Sequence, residues 1–280
     1  MEIFLWFLSF FVGLGSNCFS KLSSNQLRDS SAYSMFFTIN SGIACLFFWT
    51  TNGFRLQLDG ATAVFALIYA GVVLLSLWSH MTALQSIPIA YLAIVGSAGN
   101  LLLTSLFGVV LFREAFQWQS ALRILLMLAA SILIFLEQKG KGGLKRIPLL
   151  PLIGYVAAGV GNYLVLKFYT QVPHQASDSS FFFFTNVVLI IVALFGWALT
   201  RQRFRFSLRS AIPFVANTLC ANMGSLISLW LIARTAAVFY NPVSSALGTL
   251  SVMLSSVIFK EKIGVLSCVA ACLAVIAVII

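Results

Sequence analysis

Ten runs of roughly twenty apolar residues follow one another along this 280-residue chain, and that succession leaves few folds open. A helix needs about 20 mostly apolar residues to cross roughly 30 Å of hydrocarbon. The runs are 3–22, 31–50, 61–84, 89–112 and 117–136, then 148–170, 177–199, 211–233, 239–259 and 264–280. The chain is 60% hydrophobic and only 9% charged, so no polar stretch is left to build a separate soluble domain. The pattern predicts an all-α polytopic membrane protein with ten transmembrane helices. Met1-Glu2 runs straight into apolar sequence without the basic start of a secretory signal, so the first run is read as a helix.

Two independent signals fall on these boundaries. The six prolines (Pro88, Pro148, Pro151, Pro173, Pro213, Pro242) are expected in loops or first helical turns, where a missing N–H does least harm. The six tryptophans (Trp6, Trp49, Trp78, Trp118, Trp197, Trp230) lie within about two turns of a predicted end, where an interfacial belt places them.

The chain also reads as one half written twice. Gly13-Leu14-Gly15, followed by Asn17 and Lys21, is echoed by Gly159-Val160-Gly161, followed by Asn162, Tyr163 and Lys167. Phe36-Phe37-Thr38 is echoed by Phe183-Phe184-Thr185, and Phe54-Arg55 by Phe204-Arg205. Leu111-Phe112-Arg113-Glu114 is echoed by Ile258-Phe259-Lys260-Glu261. The offsets run from 146 to 150 in constant order, around a Gly/Lys-rich joint at 137–147. The expected organisation is therefore a first repeat at 1–136, a linker at 137–147 and a second repeat at 148–280. Five spans per half invert the second copy, the arrangement found in secondary carriers with a midplane site.

With these motifs in view, the chain resembles the drug/metabolite transporter superfamily in its ten-helix EamA-like branch. The resemblance rests on the five-plus-five repeat, on Phe112-Arg113-Glu114 and Phe259-Lys260-Glu261 after helices four and nine, and on Asn241-Pro242 early in helix nine. The family's usual glycine before the Glu is replaced by Arg113 and Lys260. The resemblance implies an inner ring of helices around a cavity, helices five and ten at the periphery, and cytoplasmic termini. It implies cargoes ranging over amino acids, nucleotide-sugars, other phosphorylated or zwitterionic metabolites, and drugs.

Polar groups inside hydrocarbon are costly unless paired, so they mark protein-facing or wet positions. The candidate substrate-binding residues are Asn17, Lys21, Asn40, Asn100, Asn162, Lys167, Asn186, Asn217, Tyr240 and Ser244. Because i, i+4 and i+8 share a face, Gly13/Asn17/Lys21 and Gly159/Tyr163/Lys167 form matched stripes, read as walls of a substrate path. Two readings stand for each amide: substrate contact, or the cross-helix hydrogen bonding that glues membrane helices. Lys21 and Lys167 near helix ends either snorkel or bind an anion, and their matched positions favour binding. His80 is read as a structural, hydrogen-bonded histidine.

The acids narrow the cargo. Glu2, Asp29, Asp59, Glu114, Glu137, Asp178 and Glu261 all lie in loops or at span boundaries. A proton-coupled exporter of lipophilic cations ordinarily needs a carboxylate inside the membrane. The expected cargo is a small anionic or zwitterionic metabolite moved by alternating access, with a drug or organic-cation exporter as the alternative. A lipid-modifying membrane enzyme fits poorly, since His80 and His174 are well apart and no acid pair occurs. No enzyme activity, cofactor or metal is expected. Cys18, Cys45, Cys220, Cys268 and Cys272 are read as small hydrophobes in helix contacts.

The net charge of +10 comes from loop Lys and Arg, with no basic face interleaved with aromatics, so nucleic acid is not an expected partner. The expected partners are a small polar solute and the lipid bilayer, with monomer and homodimer both open. The expected location is a bacterial inner (plasma) membrane. Loops after helices 1, 3, 5, 7 and 9 carry twelve Lys/Arg against three on the other side, which places the termini outside. The resemblance implies the opposite, so both orientations stand.

Overall fold

The computed structural model describes residues 2–24, 33–84, 89–115, 117–139, 149–200, 208–260 and 264–280. Among them the chain is all-α, with ten helices: α1 (Glu2–Ser24), α2 (Tyr33–Thr51), α3 (Gly60–Leu84), α4 (Ile89–Val110) and α5 (Trp118–Lys139), then α6 (Leu149–Gln171), α7 (Asp178–Thr200), α8 (Leu208–Arg234), α9 (Ala237–Ile258) and α10 (Val265–Ile279). Every end lies within three residues of its sequence expectation. Most of the linker, from 140 on, lies outside the described residues.

Among the described residues six stretches are long and apolar enough to cross a membrane: Gly60–Ser79, Trp118–Glu137, Leu149–Gln171, Asp178–Gly196, Ile212–Arg234 and Ala237–Ser255. Shorter apolar helices run over Ile3–Phe19, Ala98–Val110 and Val265–Ile279. Burial follows the inverted logic of a membrane protein. Large apolar side chains face out, as with Phe4, Phe7 and Phe11 on α1, Leu125 and Ile132 on α5, and Ile191 and Phe195 on α7. The interior is instead rich in alanine, serine and threonine, among them Ala44, Ala66, Ala158, Ser41, Ser79 and Thr104. Without a hydrophobic drive between helices, close approach of small residues holds them together.

Proline placement departs from expectation at two positions. Pro213 and Pro242 lie inside α8 and α9, each the sixth residue of its helix, because both helices begin earlier than their apolar runs. There Pro242 cannot supply the N–H that the Val238 carbonyl would otherwise accept, a loss confined to the second turn.

The chain divides into two compact units, each drawing helices from both halves of the sequence. One comprises 1–71 and 167–230. In it α2 lies along α7, with Phe48 stacked on Phe182 at 5.1 Å and the Cys45 thiol 3.7 Å from the Phe183 carbonyl. Tyr169 is fully buried, stacked on Phe181 at 4.4 Å and on His174 at 4.2 Å. Asp59 pins this unit at the start of α3. Its Oδ1 accepts the Thr62 amide (2.6 Å), and its Oδ2 accepts the Gln175 and Ala176 amides (2.7 and 3.3 Å) between α6 and α7. These donors, the Thr62 amide foremost, hold the Asp59 carboxyl well below the usual carboxylate range. A depressed carboxylate stabilises the fold above its unfolded pKa of about 4, and that contribution is lost as pH falls toward the folded value. Asp59→Asn is therefore expected to flatten the loss of thermal stability below about pH 4. Melting curves of the detergent-purified protein across that range check it, and an unchanged acid limb would remove Asp59 as a pin.

The other unit comprises 72–166 and 231–280. Here α5 packs on α10, where Met127 meets the small stripe Ala274 and Ala277, with Leu101 and Ala246 closing the cluster. Two glutamates, Glu114 and Glu137, cap second-half helices. Glu114 Oε2 accepts the Val238 amide at the start of α9 (3.1 Å). Glu137 Oε2 accepts both the amide and the hydroxyl of Ser267 in the first turn of α10 (2.7 and 2.8 Å). A carboxylate satisfies orphan amides there and meets the positive end of the helix dipole.

Arg113 and Lys260, 147 residues apart, both adopt left-handed backbone after their helices, with φ of 51° and 53°. The turn keeps a glycine-like conformation although glycine is absent, at a cost of roughly 1–2 kcal/mol for each side chain. Both side chains are exposed, so little else is lost on replacement. Arg113→Gly and Lys260→Gly are expected to leave stability unchanged or raise it by up to about 1 kcal/mol, whereas Arg113→Val lowers it by about 1 kcal/mol or more. Thermal unfolding of the three variants tests the pair.

Candidate functional site

Polar groups gather along the seam between α4 and α6. The two helices run parallel here, and each supplies glycines to admit the other's side chains. A Cβ at Gly96 would overlap the ring of Tyr155, and one at Gly99 would come within 2.8 Å of Val156. One turn on, the direction reverses: a Cβ at Gly159 would overlap the amide of Asn100. Gly161 meets Val72 of α3, with 3.1 Å left for a Cβ, and Gly154 meets the Ser79 hydroxyl. Every one of these glycines is a notch filled by a neighbour.

Asn162 and Tyr163 follow Gly159 at i+3 and i+4, on the same side of α6. Tyr163 is only 5% exposed, and its ring stacks on Tyr240 of α9 at 5.9 Å. Asn100 Oδ1, Asn162 Oδ1 and Tyr163 Oη are buried with no hydrogen-bond partner among the described residues. Ser79 Oγ, Ser105 Oγ and Arg123 Nε in the same unit share that condition. Arg123, buried in α5, lies over the Phe239 ring at 4.3 Å. Each unpaired buried group costs about 1–3 kcal/mol, and native interiors hold few of them. Ser244 stands half-buried one turn beyond Tyr240 on α9.

The remaining candidates belong to the other unit and are mostly paired. Ser16 donates to Asn217 Oδ1 (2.9 Å), tying α1 to α8, and Thr218 donates to Asn40 Oδ1 (2.6 Å), tying α8 to α2. Gly15 sits against the Cys220 sulfur, with 3.3 Å left for a Cβ. Asn186 donates to the Phe182 carbonyl of its own helix (2.8 Å). Asn17 is half-buried. Lys167 is 8% exposed on the last turns of α6. The Lys21 and His80 side chains lie outside the described residues.

The two stripes thus differ in kind from one another. The α6 stripe is closed at Gly159 by Asn100 and continues through Tyr163. Asn40 and Asn217 act as cross-helix ties, the packing alternative raised by the sequence. Tyr163 was visible as part of a stripe, but only the packing shows its hydroxyl stranded. Among the described residues no three His, Cys, Asp or Glu side chains converge to hold a metal ion.

No family model matches the chain, and no curated protein matches it. Among solved structures it is similar to one described only as "Crystal structure of protein", with a TM-score of 0.77. That match covers 97% of this chain and 94% of the other at 15% identity. At that identity the likeness shows the fold alone.

Proposed function

We propose that the chain is a secondary transporter of a small anionic or zwitterionic metabolite, built as two inverted five-helix repeats of ten transmembrane spans. The observation that carries this reading is the set of buried, unpartnered polar atoms on α4 and α6 inside an apolar-coated helical unit. A purely structural bundle gains nothing by stranding them, whereas a binding site has them completed by cargo. The repeat is supported by the pairing of helices five elements apart: α2 on α7, α4 on α9 and α5 on α10. The matched left-handed turns at Arg113 and Lys260 support it too. The two repeats would exchange between openings on either side of the membrane, as inverted repeats in carriers do.

The family assignment to the drug/metabolite transporters, on the motifs given above, belongs to this same proposal. So does residence in a bacterial inner membrane. The test is uptake into proteoliposomes of labelled amino acids, nucleotides and phosphorylated metabolites, chosen by a thermal-shift screen of the purified chain. Saturable flux of one of these solutes is the expected result. Proton-driven movement of quaternary ammonium compounds, with no flux of anions or amino acids, would overturn the reading.

A further inference from the structure

We propose that the α4–α6–α9 cluster is a subsite for the protonated amine of a zwitterionic cargo, formed by Asn100, Asn162, Tyr163 and Tyr240. This deepens the carrier reading and rests on it. The two stranded amide atoms are both oxygens, Asn100 Oδ1 and Asn162 Oδ1, so what completes them is a hydrogen-bond donor. A protonated primary amine offers three N–H groups and no acceptor. That matches two amide oxygens and the phenol oxygen of Tyr163, which has no partner among the described residues either. The stacked rings of Tyr163 and Tyr240 add faces that attract a cation.

The same helices decide the cargo's other end. α4, α6 and α9 carry no Asp or Glu within their bounds. The one carboxylate beside the cluster, Glu114 just past the end of α4, already holds the Val238 amide at the start of α9, so a second negative charge carried by the cargo itself favours burial of its amine. A cargo that brings its own carboxylate meets the condition, and a purely anionic phosphate ester does not. Gly159 makes the arrangement possible, because its missing side chain lets the Asn100 amide lie against α6 one turn before Asn162 and Tyr163.

The experiment uses the full chain purified in detergent. Its probes are L-alanine, L-leucine and L-phenylalanine, their N-acetyl derivatives, and the corresponding decarboxylated amines. Binding is read by thermal shift and titration. At least one free amino acid is expected to raise the melting temperature, and neither derivative of it to do so. Asn162→Leu is expected to weaken that binding by about tenfold or more while leaving the ligand-free melting temperature unchanged or higher. Asn162→Asp keeps an acceptor and is expected to hold or strengthen binding. Tyr163→Phe removes only a hydroxyl and is expected to weaken binding several-fold, should Asn162→Leu fail to fold.

Equal binding of N-acetyl derivatives, or unchanged affinity in Asn162→Leu and Tyr163→Phe, would overturn the subsite. So would wild-type preference for phosphorylated metabolites that Asn162→Asp abolishes, an outcome that leaves the carrier reading standing. Amino-acid binding without flux of any solute in proteoliposomes would do the reverse, upholding the subsite and ending the carrier reading.

Discussion

Gly96→Ala and Gly159→Ala each lower the thermal stability of the purified protein, and Asn100→Ala in the same chain restores most of what Gly159→Ala loses. The new methyl at 96 has to displace the ring of Tyr155, and the one at 159 has to displace the buried amide of Asn100. Overpacking of this kind costs typically about 1–3 kcal/mol. The compensation isolates the cause: residues sharing one contact couple, whereas distant ones add. Gly42→Ala and Gly248→Ala serve as controls, because nothing stands within 4 Å of a Cβ at either position. Alanine there gains helix propensity of up to about 1 kcal/mol and should be neutral or stabilising. If all four variants melted alike, the α4–α6 seam would not be as close as described. If Gly159→Ala fell and the double variant fell further, the contact at Asn100 would be misassigned.

How much of this was legible beforehand depended on whether a signal is local. Helix ends were readable to within three residues because run length in hydrocarbon is a one-dimensional constraint. At Pro213 and Pro242 the helices begin two or three residues ahead of the expected spans, at Leu208-Arg209-Ser210 and Ala237-Val238, which moves each proline into the second turn. Partners were not readable at all. Gly159 and Asn100 both stood out in sequence, but nothing in the chain announces that one fills the other. The sequence marks Glu114 by its repeated motif and both Glu114 and Glu137 as acids kept out of the membrane, but their task of capping α9 and α10 needed the fold. The turn at Arg113 and Lys260 is the opposite case. Its sequence lacks the glycine that would advertise it, while its backbone keeps the left-handed geometry. Asn40 and Asn217 show why amides resist interpretation: substrate contact and helix tie use the same residue type, and only the hydrogen-bond partner separates them.

Lys167→Met is expected to cut flux of a carboxylate-bearing cargo by about tenfold or more, which corresponds to roughly 1.4 kcal/mol of lost anion binding. The change keeps an apolar stem of similar length, so lost packing does not account for the effect. Snorkelling predicts an ammonium reaching the interface, yet the Lys167 side chain is only 8% exposed, although α6 ends just four residues later. A buried lysine held for charge raises the apparent KM of anionic cargo when removed and is partly rescued by Lys167→Arg. A lysine held for structure lowers the melting temperature and leaves KM alone. Lys21→Met, its counterpart in the first repeat, should shift KM in the same direction if both lysines serve the acidic end of the cargo. Should Lys167 and Lys21 variants both transport at the wild-type rate with unchanged KM, the acidic end of the cargo is held by neither lysine.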